Sequence, residues 1–411
     1  MAFGDCPDDE GLRVAWQLFC ERLRGAGEQV FKDFNPANPR QRADAFRFLT
    51  QNLGQAFDLA LETKDTKFPV LHTFCTPFCK LGSDNADFIY QQAWIDGESV
   101  YRISGNRGTA RFLNFTVQGP RRDRQPGTEW PSLHEPFGDI PEANLFGHQL
   151  ETQWDGGFEL FIGGPQRGPN WLPTTSGSRK LFLRQGFDRW DELSAQLRIE
   201  RIGMVGPRPV PLPADLTAAM DWAGRFVTGL MNDWPDHPYQ FSGGAVDPVN
   251  INAFPQNFAG DTAADKRRGR AVMNMCWQLR PDEALIIEFD AHDGLWMLTN
   301  MGAFFTSMDY LYRPVSFTPS RTKVDEDGKV RVVMCHEDPG YYNWMDTQGF
   351  ERGNVTYRIL LSESRVTLGT KLVKRADLGA LLPTTTAKAA PAQRQQQLRE
   401  RFDGIRQRYR L

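Results

Sequence analysis

The feature that most constrains this chain is a series of landmarks that recurs in order along two β-rich stretches. The first stretch holds Ile95-Asp96-Gly97, then Tyr101-Arg102-Ile103, then Gly105 and Gly108, then Phe112. The second holds Ala291-His292-Asp293-Gly294, then Trp296-Met297-Leu298, then Asn300-Met301-Gly302, then Phe305. Each continues to a second Asp-Gly turn, Asp155-Gly156 and Asp327-Gly328. Each then reaches an Asn-Trp pair, Asn170-Trp171 and Asn343-Trp344. Each ends on a strand carrying an arginine, Arg184 and Arg358, 14 and 15 residues past the asparagine. Four matching landmarks in order predict two similar units, stacked or face to face, each too small to bury its own apolar face.

The texture inside both stretches is that of antiparallel sheet. Phe158, Leu160 and Ile162 alternate with Glu159 and Phe161, and Asp-Gly pairs punctuate the runs as hairpin signals. Outside them the pattern is helical. Leu12, Trp16, Phe19 and Leu23 form one stripe and Phe46, Leu49, Leu53 and Phe57 another, both expected to pack on a sheet. Residues 206–213 hold four prolines, which remove donors and fix φ, so they form an extended connector. A helix follows with Leu216, Met220, Ala223, Val227 and Leu230 on one face. The stretch from Asp233 to Gly260 reads as loop, in which Asp233-Trp234-Pro235-Asp236-His237 could line a cleft. The tail from Ala389 reads as a basic amphipathic helix. Its stripe is Leu398, Phe402, Ile405 and Tyr409, and Arg394, Arg399, Arg401, Arg406, Arg408 and Arg410 line the rest. The stripe favours docking on its own domain or on a second subunit over contact with an anionic surface.

The expected fold is therefore mainly β with helical additions (α+β): two related antiparallel β-sandwich or jelly-roll-like units. The expected divisions are 1–80 (helical N-terminal region), 81–205 (first β unit), 206–270 (connector and helical insert), 271–375 (second β unit) and 376–411 (tail helix).

Composition narrows function. A formal net charge of -3 over 411 residues argues against a nucleic-acid binder, which needs a basic surface. No apolar run approaches the roughly 18 residues needed to span a membrane. The N-terminus lacks the cationic start and apolar core of a signal peptide, which predicts a cytoplasmic chain with six reduced cysteines. Cys75 and Cys79 have no second pair to complete a metal site, and Asp325-Glu326-Asp327-Gly328 lacks the spaced ligands of a calcium loop. No P-loop, dinucleotide fingerprint, nucleophile elbow or His-Glu-x-x-His occurs, so neither cofactor nor metal is expected.

The densest polar and aromatic segment is Asn300 to Asp346. Asp309, Tyr310, His336 and Asp346 supply the residue types of an acid-base site. The repeat supplies candidate ligand contacts: Asn170, Trp171, Arg184, Asn343, Trp344 and Arg358, joined by Tyr101, Trp296 and Tyr342. In this reading the tryptophans stack on a ligand and the two arginines hold its anionic group. A structural reading stands beside it, with Asn in a tight turn, Trp plugging a core and Arg pairing with a carboxylate.

Several strings resemble a known family. Asp84-Asn85-Ala86-Asp87 with Tyr90, Ile95-Asp96-Gly97 with Tyr101-Arg102-Ile103, Gly105-Asn106-Arg107-Gly108-Thr109, Ser307-Met308-Asp309-Tyr310, and Asp338-Pro339-Gly340 with Asn343-Trp344-Met345-Asp346-Thr347-Gln348-Gly349 are similar to bacterial proteins carrying the domain of unknown function numbered 1214. The resemblance covers roughly residues 80–365. It implies a β-sandwich or jelly-roll architecture, often oligomeric, without an agreed activity, in bacteria that catabolise steroids, terpenoids and aromatics. It also implies a His after the last glycine, where this chain has Phe350; an activity that used that His is then absent here.

Two functions follow as expectations. The first is a cofactor-independent lyase, isomerase or hydrolase of small-molecule metabolism. It would act by acid-base chemistry on an apolar or aromatic, terpenoid-like substrate in a cleft between the β units. The second is a non-catalytic, homo-oligomeric β-sandwich protein binding carbohydrate or another small ligand. Convergence of Asp309, His336 and Asp346 on one enclosed cavity discriminates between them.

Overall fold

Asn38 begins the second helix of the chain by accepting a hydrogen bond from the Gln41 N–H at 2.9 Å, with Pro39 in the first turn, where its missing N–H costs nothing. The computed structural model describes residues 6–120, 139–235, 251–255, 270–360, 362 and 364–411. Its N-terminal helices are α1 (Asp9–Glu28) and α2 (Pro39–Phe57). The insert helix is α3 (Pro213–Asp233). Most of the loop expected after it, including Asp236 and His237, lies outside the described residues.

The expected helix stripes need correcting. α1 packs along α3 rather than on a sheet. Phe19 is buried, but Trp16 is 57% exposed. In α2 the buried side is Gln41, Ala45, Phe48, Leu49, Asn52, Gln55 and Ala56, so of the expected stripe Leu49 is buried, Leu53 and Phe57 pack against the core, and Phe46 is 39% exposed. Two of the polar residues are inside because they satisfy backbone carbonyls: Gln41 donates to Arg352 O at 2.8 Å and Asn52 to Lys80 O at 3.1 Å.

Two eight-stranded sandwiches carry the rest of the chain, so the fold is mainly β with helical additions. The first unit, preceded by β1 (His72–Cys75), comprises β2 (Phe88–Trp94), β3 (Tyr101–Asn106), β4 (Phe112–Gly119), β5 (Ile140–Phe146), β6 (Gly157–Ile162), β7 (Trp171–Leu172), β8 (Lys180–Gly186) and β9 (Gln196–Arg201). The second comprises β10 (Arg270–Gln278), β11 (Glu283–Asp290), β12 (Leu295–Met301), β13 (Ser316–Phe317), β14 (Lys329–Cys335), β15 (Trp344–Asp346), β16 (Arg352–Leu360) and β17 (Gly369–Lys374). The sheets run β1-β2-β8-β4-β5 and β7-β6-β3-β9 in one unit, β10-β16-β12-β13 and β15-β14-β11-β17 in the other. Adding eight to each strand number of the first unit from β2 onward reproduces the second. The short parallel pairs β6–β7 and β14–β15 are reproduced as well.

Three of the four sequence landmarks fall at equivalent places in this topology. The first does not. Tyr101-Arg102-Ile103 lies in β3, whose counterpart is β11, whereas Trp296-Met297-Leu298 lies in β12, the counterpart of β4. An aromatic-x-aliphatic strand after an Asp-Gly turn fits every hairpin of a sandwich, so that landmark slips by one strand.

The Asn-Trp pair is a latch, built twice. Asn170 accepts from Glu151 N (2.9 Å) and donates to Glu151 O (2.7 Å) and Glu159 O (3.0 Å). Asn343 accepts from Lys323 N (3.0 Å) and donates to Lys323 O (2.8 Å) and Arg331 O (2.9 Å). The neighbouring indoles donate to Gly163 O and Cys335 O, both at 3.2 Å. Each latch ties the short strand β7 or β15 to the loop leading into its parallel neighbour, β6 or β14.

The tail helix α4 (Pro391–Tyr409) docks on its own chain. Ile405 is fully buried in the core of the second unit, with Phe402 and Tyr409 beside it. The arginines do not all line a solvated face as expected: Arg394, Arg401 and Arg408, seven residues apart, are buried too. Among the described residues no helix is long and apolar enough to cross a membrane.

Candidate functional site

Strand β8 shows how the site is built. Its Leu181 and Leu183 fill the interior of the first sandwich, while Lys180, Phe182 and Arg184 point the other way. Residues paired across strands share a face, so the register writes the outer face in rows. One row is His72, Gln92, Phe182, Thr116 and Asn144; the next is Tyr90, Arg184, Asn114 and Phe146; a third holds Trp94, Lys180 and Gln118. The equivalent face of the second unit carries Asn274, Thr356 and Thr299 in one row and Arg358 with Met297 in the next. Both faces run into one buried cluster, where Phe88, Tyr90, Phe112 and Phe182 meet Met297 and Met301, with α1, α2 and α3 closing over them.

Arg184 donates to Asn114 Oδ1 at 2.7 Å and lies over the rings of Phe112 and Phe182. Arg358, its counterpart, donates to the Ser83 hydroxyl at 2.6 Å. Tyr90 lies opposite Arg184 across β2 and β8; burial raises its phenol above the ordinary range, and the charges of Arg358 and Arg184 oppose that. At one end of the face the Lys180 ammonium meets the Asp139 carboxylate at 2.6 Å, both fully buried, beneath the Trp94 ring. At the other edge stands His72; burial lowers its imidazole below the usual value, with Asp58 opposing.

Polar groups on a buried sheet face are expected to be paired. Here many are not. Among the described residues His72 Nε2, both amide atoms of Gln92, Gln118 Oε1, Asn144 Nδ2 and Thr299 Oγ1 are buried without a hydrogen-bond partner. Each such group costs about 1–3 kcal/mol. A face that carries several of them is poor design for stability and suits the recognition of a polar ligand.

The four residues expected to do acid-base chemistry lie in the second unit; His336 is joined to the residue after Asp346, and Gln348 bridges Asp346 to the Asp309 carbonyl, while each side chain is held in a structural contact. Asp309 Oδ1 accepts from the backbone N–H groups of Leu311 (3.2 Å) and Tyr312 (3.3 Å), which makes it a turn cap. Asp346 accepts from Gln348 N (2.7 Å) and pairs with Arg313 (2.8 Å). His336 Nδ1 bonds Thr347 Oγ1 at 2.5 Å, and burial lowers its pKa against the pull of Asp346. Tyr310, 1% exposed, donates to the Tyr409 hydroxyl at 3.3 Å. Of the expected ligand contacts, Tyr101 and Trp296 are interior plugs of their sandwiches. The Tyr101 hydroxyl donates to Thr66 O at 2.9 Å, and Trp296 stacks on Tyr357. Asn170, Trp171, Asn343 and Trp344 form the latches, and Tyr342 sits at the far side of the second unit under α4. Only Arg184 and Arg358 fall on the facing sheets. His72, Tyr90, Gln92, Asn114 and Lys180 escaped the sequence reading, although the polar alternation of Tyr90 with Gln92 and of Lys180 with Arg184 was present in it.

No family model matches this chain, and no curated protein does. Among solved structures the chain is similar to an uncharacterised protein from Burkholderia cenocepacia, at 29% identity and a TM-score of 0.78, over 89% of this chain and 98% of that one. A Vibrio parahaemolyticus protein matches at 13% identity with a TM-score of 0.44, over 86% and 100% of the two chains. An 11S globulin from Wrightia tinctoria follows at 10% identity and a TM-score of 0.20, over 84% and 94%. The Burkholderia structure has the same fold along nearly its whole length.

Proposed function

We propose that the chain binds a small molecule in the layer between its two β units. The anionic group of the ligand lies between Arg184 and Arg358, and its apolar or aromatic body lies against Phe88, Tyr90 and Phe182. The observation that carries this reading is the set of unpartnered polar atoms on the buried outer face, beside two arginines at equivalent strand positions, Arg184 in β8 and Arg358 in β16. Aromatic walls with a few placed polar groups are the usual make-up of a small-molecule site. The motif resemblance to the 1214 proteins agrees with a ligand from aromatic or terpenoid metabolism.

A second reading, acid-base catalysis in the same layer, is favoured by one observation. The His72 imidazole, its pKa lowered by burial, presents an unpartnered nitrogen on the face that carries Tyr90. Asp309, His336 and Asp346 do not serve this reading, because each is committed to a turn or strand contact.

Calorimetry with 2-naphthoate and phenylacetate against their methyl esters tests the binding. The acids should bind at least tenfold tighter than the esters, and Arg184→Gln should abolish the difference. Acids and esters that bind alike, or an Arg184→Gln variant that keeps the preference, would overturn the proposal. Turnover lost in His72→Gln with binding retained would favour catalysis.

A further inference from the structure

A second site lies away from that layer, where the β8–β9 loop, the second unit and α4 meet. A cleft of about 200 Å³ opens there, lined among others by Arg189, Trp190, Arg321, Tyr342, Arg394 and Arg401. Four of its lining residues are arginines and one, Glu400, is acidic. Trp190 is the centrepiece: the guanidinium carbons of Arg321, Arg408 and Arg401 lie 4.0, 4.8 and 5.1 Å from its ring centroid. Gly404 brings α4 onto this ring, since a Cβ there would sit 2.8 Å from it.

The pairing of these guanidinium groups is incomplete. Asp87, fully buried, pairs with Arg321 at 2.6 Å and Arg408 at 3.3 Å. Arg401 donates to Ser316 Oγ at 3.1 Å and Ser316 O at 2.8 Å, both neutral. Arg321 gives its Nε to Asp188 O and Thr318 Oγ1, yet its Nη1 is buried with no hydrogen-bond partner among the described residues. Its side chain is 9% exposed and lines the cleft. Among the described residues Asp87 is thus the one carboxylate that pairs with any of these three guanidinium groups, and Arg401 has no ion pair. Asp188 and Glu192 nearby are engaged: Asp188 with Arg111 and Ser320, Glu192 with the Asp188 N–H. Uncompensated buried charge is costly, and a guanidinium with a vacant edge matches an oxyanion in both geometry and sign.

We infer that this cleft is a binding site for a small oxyanion, a phosphate or carboxylate group, seated on the vacant edge of Arg321 beside Arg401. The volume falls short of the roughly 300–1,000 Å³ of sites for drug-sized ligands, so the ligand is a compact one. The site shares no residue with the layer between the units and stands whether or not that layer binds its ligand.

The full chain is titrated by calorimetry with inorganic phosphate and with malonate at constant ionic strength, using chloride as control. Phosphate or malonate should bind where chloride does not, and the tighter of the two identifies the group. Arg321→Lys, which keeps the charge and loses the vacant edge, should weaken binding at least tenfold. Glu400→Gln, an exposed change that removes the one lining acid, should tighten it several-fold. Arg184→Gln should leave it unchanged. Binding no tighter than chloride, or insensitive to Arg321→Lys, refutes the site. If Arg321→Lys fails to fold, the Glu400→Gln arm decides, and unchanged or weaker binding refutes the site.

Discussion

Replacing Asn343 by Ala should destabilise the second unit by about 3 kcal/mol. The side chain makes three hydrogen bonds of 2.8–3.0 Å to the backbone of Lys323 and Arg331 while 5% exposed. At roughly 1 kcal/mol net per bond, the loss is about 3 kcal/mol, and the stranded carbonyls and N–H push it upward. Asn170→Ala removes the matching three bonds in the first unit, at 8% exposure. The two losses should therefore agree within about 1 kcal/mol and add in the double variant, because the sites share no partner. For a cooperative unit of this size that is a fall in melting temperature of roughly 6–12 °C. Calorimetric melting with circular dichroism checks it. The latch argument fails if either variant melts within 1 °C of the parent. It fails also if ligand affinity drops while stability holds, for then the asparagines serve a ligand.

Other outcomes follow from the same contacts. Burial drives the Lys80 ammonium down to about 8, with Asp84 opposing; the unfolded chain holds that proton to about 10.4. Between those values the unfolded state binds more protons, so stability should rise with pH by about 3 kcal/mol from this group. Of that rise about 2 kcal/mol falls between pH 7 and 9.5; a Lys80→Met variant melted over that range should lack it, and a parallel rise in both proteins would refute the assignment. Lys180→Met should cost about 3 kcal/mol, since it takes one of two cations from buried Asp139; urea unfolding measures it, and a loss under 1 kcal/mol would count against that pairing. Removing residues 389–411 uncovers the pocket of Ile405 and takes Arg408 from Asp87. The truncated chain should become protease-sensitive rather than merely change its oligomer mass.

Periodicity carries the fold well and the site badly, for one physical reason. Alternation along β6 and the two Asp-Gly turns report local geometry, which a short window contains. The repeat made the doubled sandwich legible even though its first landmark slipped by a strand. The functional surface depends on which strands become neighbours. His72, Gln92 and Asn144 are distant in sequence and share a row only because β1, β2, β8, β4 and β5 line up. The acidic residues of the string that carries the family resemblance brace the chain. Asp84 accepts from Ser307 N at 2.7 Å, and Asp87 anchors two arginines. Burial of Arg394, Arg401 and Arg408 was hidden by the rule that arginine faces water, which fails when carboxylates, carbonyls and an indole ring wait inside.

The doubled unit has a consequence for what can be recognised. Two identical subunits meeting across a twofold axis must present the same wall twice, so a mutation on one side is forced on the other. Joined in one chain, the walls are free to drift apart. They have done so: Tyr90, Gln92 and Asn114 stand where the second unit has Val272, Asn274 and Met297, while the arginine is kept in both. A tandem arrangement of this kind can grip a molecule whose two ends differ, because the row beside each arginine is polar in the first unit (Tyr90, Asn114) and apolar in the second (Val272, Met297).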